Sequence, residues 1–449
     1  MERSLLALLN NEYLKLVSDI AKKLQVSAYF VGGGLRDILM GRKVKDFDFA
    51  LSGGSEELPA EFAEAVEGSC FWLDRQRCQS RVVRKNDNGI LVFDFAPLRG
   101  SDIMDDLLLR DFTINALALP LGDGNESVID PLRGLTDLHL KTIRSCSEAS
   151  FVDDPLRLLR ALRFAATLGF AVEPGTWRQL CDKAHLLQAV APERIRDELF
   201  QVLTAPGVGA SLAKLAEAGL LAEIFPAGLF LEDSGQTGSN DRVSIGTRIE
   251  SAVVVEQIAA GCVFEKVATE LHRYLCREIE SQVSLVSLLK LAAFLGETEK
   301  PEQLTVTLAE RLRIGGKAGR ILGLLCGRAE SLFARLGRIP TRRSMYRFFA
   351  DREPAGIVLL IHGLARGYLS GELAVELAEF YFREFPSISE DMLLTGNEIM
   401  AILGVGQGCR VGEAVERLKD AESAGLVNNK EEARAFLEKN LLTTKEPVL

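Results

Sequence analysis

Hydrophobic positions come in short, often alternating bursts over the first third of the chain, and then the period changes. "AYFVGG", "DFDFAL", "SRVVRK", "ILVFDFAPL" and "INALALPL" are brief, apolar and separated by turn residues, a pattern that predicts β-strands. From about Phe151 onward the repeat is helical, as in "DPLRLLRALRFAATLGF", "PERIRDELFQVL", "GASLAKLAEAGLLAEIF" and "CRVGEAVERLKDAESAGL". The pattern predicts a small α/β head over residues 1–140. An all-α remainder follows, divided into a neck (141–205), a body (206–335) and a tail (336–449). "SGQTGSNDR" (234–242) reads as an exposed loop and "IPTRRS" (339–344) as a second break. There is no internal repeat and no low-complexity tract.

A chain of 449 residues exceeds one ordinary core, which agrees with several domains, and 47% hydrophobic with 26% charged residues is a globular composition. No apolar run is long enough to span a membrane. No signal-peptide pattern follows Arg3, where "SLLALLNNEYLKL" reads instead as the start of an amphipathic helix. The eight cysteines are scattered without a C-x-x-C pair. They are expected as reduced, small buried side chains in a cytoplasmic protein.

Charge changes the picture locally. A net charge of −10 excludes a protein that coats nucleic acid by bulk attraction. Between Arg313 and Arg347, however, nine Lys/Arg face Glu330 alone, a local net of +8. Such a strip suits an anionic partner, although a solvated helical face would look the same.

The densest chemistry lies in "YFVGGGLRDILMGRKVKDFDFAL" (29–51). A strand, three glycines and the helix "LRDILMG" together offer free N–H groups and a positive dipole end to phosphate; a plain tight turn would read the same way. Arg36 adds a guanidinium within reach of a triphosphate. In "DFDF", residues two apart on a strand share a side, so Asp46 and Asp48 present two carboxylates together. A divalent metal would relieve their repulsion, although a polar face on an edge strand would read the same way. Asp94, in "LVFDFAPLRG", supplies a third carboxylate, and the set suits two-metal phosphoryl transfer.

The G-G-x-x-R-D turn followed by D-x-D resembles the nucleotidyltransferase superfamily that includes DNA polymerase β. "LLLRDFTINALAL" (107–119), "VIDPLRGLTDLHLKTIRS" (128–145), "FVDDPLRLLRALRFAATLGF" (151–170) and "PERIRDELFQVL" (192–203) narrow the likeness. In that order they resemble the class II tRNA nucleotidyltransferases (CCA- and CC-adding enzymes) and bacterial poly(A) polymerases. The resemblance covers residues 25 to about 225; beyond them it is limited to helical texture and "LLTGNEIMAILGV" (393–405). It implies that Asp46 and Asp48 hold two Mg²⁺ ions with Asp94 as the third acidic position. It also implies that Gly32, Gly33 and Arg36 face the triphosphate, and that Arg110, Asp111 and Asn115 recognise the ribose. Asp154 and Arg157 would bond the edge of the incoming base, with Arg160 also at the nucleotide. That pair is three apart, so on a helix it would share a face and imitate a pairing partner without a template. Asp154 before Pro155 also suits a helix N-cap, and the two roles are compatible.

Three departures qualify the resemblance. Leu109 stands where the family usually has the first of two arginines, and Asp153 where many relatives have Glu. Only fifteen residues (95–109) separate Asp94 from Arg110, whereas CCA-adding members carry a longer, flexible segment there. The short segment resembles the CC-adding enzymes, which stop before the terminal adenosine. "LLKLAAFLGETEKP" (288–301) sits where some relatives carry a His-Asp phosphohydrolase motif, and Gly296-Glu297 replaces it. The four histidines are widely spaced and expected as surface or hydrogen-bonded core residues.

The expectation is therefore an enzyme that transfers CMP from CTP, and AMP from ATP if the end is completed, to a tRNA 3′ terminus. Arg313, Lys317, Arg320, Arg342 and Arg343 would grip the tRNA backbone, reading shape rather than sequence. The rivals are a full CCA-adding enzyme, a poly(A) polymerase and a non-catalytic RNA-binding protein. The acidic balance and the lack of a basic C-terminal extension weigh against the poly(A) polymerase. The presence of all three carboxylates weighs against the binder.

Overall fold

The computed structural model describes residues 11–86, 89–122, 127–225, 244–327, 330–334, 336, 340–386 and 393–441. Contacts group the chain into two units. One runs up to Ala191 and includes Glu217–Glu223; the other comprises Pro192–Ala216 and the chain from Ile224.

The first unit is built on a six-stranded sheet of β1 (Ala28–Val31), β2 (Asp46–Leu51), β3 (Ser69–Asp74), β4 (Gln79–Asn86), β5 (Gly89–Pro97) and β6 (Ala118–Leu121), in the order β3-β4-β5-β2-β1-β6. Neighbours are antiparallel except β2 and β5, which run parallel with Asp48 opposite Asp94. The alternation in "DFDF" follows from the two faces of this sheet. Phe47 stacks on Phe93 at 5.1 Å and Phe49 on Phe95 at 4.9 Å, across the parallel pair. Phe62 of helix Glu57–Ala65 and Tyr13 of helix Glu12–Leu24 close over these rings. Each fully buried phenylalanine contributes roughly 2–3 kcal/mol of apolar transfer, which pins the register and so turns the intervening aspartates to the opposite, open face.

Between β1 and β2 the chain forms the helix Gly32–Leu39. The glycines, expected as a turn before the helix, are its first turn. Gly34 explains why: a Cβ there would lie 2.7 Å from the Asp46 carbonyl oxygen and 2.9 Å from the Phe30 ring. Only a bare backbone lets the helix N-terminus approach β2 this closely.

The second unit is helical, from Pro192–Thr204 through Leu285–Leu295 to three helices, Gly396–Leu403, Cys409–Ser423 and Lys430–Leu441, packed around Ile399, Leu418 and Leu437. Two short strand pairs interrupt the helical texture, Thr142–Ile143 with Ala171–Val172 in the first unit and Glu278–Glu280 with Val283–Ser284 in the second. They are too short to leave a period in the sequence. "SGQTGSNDR" lies outside the described residues. Thr341, in the second break, caps helix Arg342–Ala350 by accepting from the Ser344 N–H at 3.2 Å.

Two expectations need correction. Of the eight cysteines, all free thiols, only Cys326 is buried; Cys70, Cys262, Cys276 and Cys409 are exposed, because they fall on the edge strand β3, in two turns that follow helices and at a helix start. His362 is buried, yet neither ring nitrogen makes a hydrogen bond. Burial and the nearby Arg366 charge push its pKa down to about 4, so it packs as a neutral ring. No helix among the described residues is long and apolar enough to cross a membrane.

Candidate active site

The first unit holds an open cavity of about 810 Å³ lined by all twelve residues singled out in the head and neck: Gly32, Gly33, Arg36, Asp46, Asp48, Asp94, Arg110, Asp111, Asn115, Asp154, Arg157 and Arg160. Sheet register and the helix Gly32–Leu39 shape one side. The segment from Arg99 to Asn115 and the helix Arg157–Leu168 shape the other.

Asp46 is exposed and Asp48 half-buried, both on the open face of β2. Burial first, and then the charges of Asp94 and Asp46, push the Asp48 carboxyl up to about 6, while Arg110 pulls it the other way. Gly32, at φ +72°, has no side chain to obstruct this corner: a Cβ there would lie 3.1 Å from Asp48 Oδ2 and 3.2 Å from an Arg110 nitrogen. Asp94 is differently placed. Arg81, opposite it on β4, donates from Nε and Nη2 to its two oxygens, each at 2.7 Å. Asp46 and Asp48 therefore fit divalent ions as an accumulation of negative charge that Arg110 offsets only in part, whereas both Asp94 oxygens are bonded to a guanidinium. Among the described residues, no three His, Cys, Asp or Glu side chains are gathered closely enough to hold an ion on their own.

The facing wall is a chain of hydrogen bonds. Arg36, only 6% exposed, donates to Asn115 Oδ1 at 2.7 Å, and Asn115 Nδ2 donates to Asp111 Oδ1 at 3.0 Å. Arg160 closes on Asp111 Oδ2 at 2.6 Å, and the Phe112 N–H donates to Oδ1 at 2.8 Å. Burial alone would raise the Asp111 carboxyl, but Arg160 and these donors hold it below the usual range. Arg36, Arg160 and Arg163 also lie 4.0–5.4 Å from the centre of the Phe164 ring. Carboxylates on one side and guanidiniums on the other suit a polyphosphate that carries metal ions.

Arg110 is fixed by Asp106, whose Oδ2 accepts from its Nε at 2.9 Å, and Arg99 donates to Asp106 Oδ1 at 3.1 Å. Asp106 is buried, and the two guanidiniums hold its carboxyl low against the effect of burial. Arg81, Arg99 and Asp106 were absent from the sequence-based set. The i,i+4 spacing of Asp106 and Arg110 was a readable signal; the Arg81–Asp94 pair depends on strand register and was not.

Asp154 and Arg157 do not share a helix face. Asp154 is extended (φ −144°) between two helices, as Pro155 dictates for the residue before it, and its carboxylate accepts from the Leu156 N–H at 3.2 Å. Arg157 begins the next helix and donates to the carbonyls of Leu109, Arg110 and Ser150. In the second unit Lys317 and Arg320 are exposed, and Arg313 faces Glu193 at 3.8 Å. Arg342 pairs with Glu384, and Arg343 with Asp420 at 2.8 Å. Arg328, Arg335 and Arg338 lie outside the described residues.

Residues 28–144 match the Poly A polymerase head domain, and residues 169–229 match the family described as "Probable RNA and SrmB- binding site of polymerase A". Over 448 residues, all of both chains, the sequence is 38% identical to a CC-adding tRNA nucleotidyltransferase of Geobacter sulfurreducens. It is 32% identical to an A-adding tRNA nucleotidyltransferase of Deinococcus radiodurans, across 92% of this chain and 95% of that one. A solved structure described as a tRNA-processing enzyme shares the fold, with a TM-score of 0.67 at 23% identity over 92% of this chain and 97% of the other.

Proposed function

The chain belongs to the tRNA nucleotidyltransferase and poly(A) polymerase family of nucleotidyltransferases, and within it we propose a CC-adding enzyme that extends tRNA 3′ ends from CTP. The observation that carries this reading is the stretch between Asp94 and Arg110. It has no flexible insertion: after β5 it turns directly into the helix Ile103–Leu108, tied down by the Arg99–Asp106–Arg110 ion pairs. In the resemblance, adding the terminal adenosine requires the base-reading helix to rearrange with help from a longer loop, which this segment cannot supply. The full-length similarity to a CC-adding relative supports the same choice.

Asp46 and Asp48 would hold Mg²⁺, which when bound neutralises charge on the attacking hydroxyl and the triphosphate. The N–H groups of the helix start at Gly32 and Gly33, together with Arg36, receive the triphosphate. Asp111 and Asn115, oriented by Arg160 and Arg36, meet the ribose hydroxyls. Asp154 and Arg157, which line the same cavity though on no shared helix face, would meet the cytosine edge. The primer 3′ hydroxyl loses its proton to solvent as its oxygen bonds to the α-phosphorus, the α–β bridge breaks and pyrophosphate leaves.

The test supplies Mg²⁺ and tRNA transcripts ending before CCA, after C and after CC, with CTP and ATP separately and together. Products are resolved to single nucleotides. Arrest after the second cytidine is expected. A complete CCA end, addition of adenosine alone or a long adenosine ladder would each replace the reading with the corresponding relative's activity.

A further inference from the structure

We propose that Arg81 is a positioning residue that occupies Asp94 in place of a divalent cation and thereby sets how strongly the acidic cluster takes up metal. The inference rests on the reading of Asp46 and Asp48 as ion ligands.

Three neighbouring strands carry one row of charge. Antiparallel register sets Arg81 of β4 opposite Asp94 of β5, and parallel register sets Asp94 opposite Asp48 of β2. Both Asp94 oxygens accept from the one guanidinium at 2.7 Å, the two-pronged geometry that best neutralises a carboxylate. Arg110, which also acts on Asp48, already serves Asp106 at 2.8 Å. Arg81 is therefore the counter-charge that Asp94 possesses before any ion arrives.

Its surroundings mark it as displaceable. The Arg81 and Asp94 side chains are 36% and 29% exposed, unlike the buried Arg36. The β4–β5 ladder holds these strands together over Ser80–Asn86 without help from the side chains. An ion that bonds Asp48 and reaches for an Asp94 oxygen must break one prong of the pair, so part of its binding energy is spent releasing Arg81.

The test is Mn²⁺ titration, followed by electron paramagnetic resonance, of the full chain without nucleotide or RNA. Arg81→Gln should bind Mn²⁺ roughly fivefold more tightly than the unaltered protein, the worth of one partly exposed ion pair. Arg81→Lys, which keeps the charge but only one prong, should fall between them. Unchanged or weaker binding by a folded Arg81→Gln protein, or no Mn²⁺ uptake by any form, overturns the proposal. If the glutamine variant does not fold, the lysine variant decides: tighter binding supports the role, and equal or weaker binding ends it. A protein that shows this order of affinities but transfers no nucleotide keeps the role of Arg81 and loses the proposed function.

Discussion

Asp48 and Asp46 are the same residue type two positions apart, yet their surroundings separate them. Asp46 stands in solvent, while burial and neighbouring carboxylates push Asp48 up to about 6. An unfolded aspartate titrates near ~3.9. Between that value and about 6 the folded protein keeps a proton that the unfolded chain has lost, so Asp48 makes stability fall as pH rises through this window. Above it the penalty remains in full. Asp48→Asn should therefore melt several degrees higher than the unaltered protein at pH ~7.5 in EDTA, and the gap should close near pH ~4. The same substitution should lower nucleotide transfer by on the order of a thousandfold, since it removes an ion ligand from the reacting centre. Thermal melts at the two pH values, beside a transfer assay, check both halves. The D-x-D spacing was legible in the sequence; the inequality of its two members was not, because it depends on the burial of Asp48 and then on Asp94 arriving from another strand.

At the scale of elements, the decisive piece is the short helix Ile103–Leu108 and its flanks. Asp106, 2% exposed, ties Arg99 and Arg110 together and so fixes the guanidinium that borders Gly32 and Asp48. Asp106→Ala should cost roughly 2 kcal/mol in urea unfolding, the worth of its charge-assisted hydrogen bonds. It should also raise KM for CTP about tenfold, as Arg110 loses its position. A rise in KM without destabilisation would mean that the helix is held by other contacts. The strands around this helix were readable from alternation, and the helix starting at Gly32 nearly so. Its first turn was misplaced because the close approach of Gly34 to the Asp46 carbonyl is a tertiary contact with no local pattern.

The whole molecule carries a net charge of −10, so the RNA that the proposed activity requires would be held by local charge. The basic strip seen in the sequence is partly consumed within the second unit: Arg342 pairs with Glu384, and Arg343 and Arg347 converge on Asp420. Lys317 and Arg320 stay exposed on the helix Gly316–Cys326. The double change Lys317→Glu, Arg320→Glu should weaken tRNA binding about tenfold at low salt and flatten its salt dependence, with KM for CTP unchanged. Fluorescence anisotropy at two ionic strengths reads this directly. An unchanged affinity would remove these two residues from the RNA path.

The local order of residues was enough for the alternating strands, the helical remainder, a helix following β1 and the acidic pair on β2. Each of these depends on neighbours within a few positions, where backbone period and side-chain chemistry act directly. Folding in three dimensions added the rest. It set Arg81 on Asp94, joined Arg36 to Arg160 through Asn115 and Asp111, and left His362 buried without a partner. Those features come from strand register and from contacts between residues tens of positions apart; in the sheet, burial of the phenylalanine layer beneath β2 and β5 pins that register.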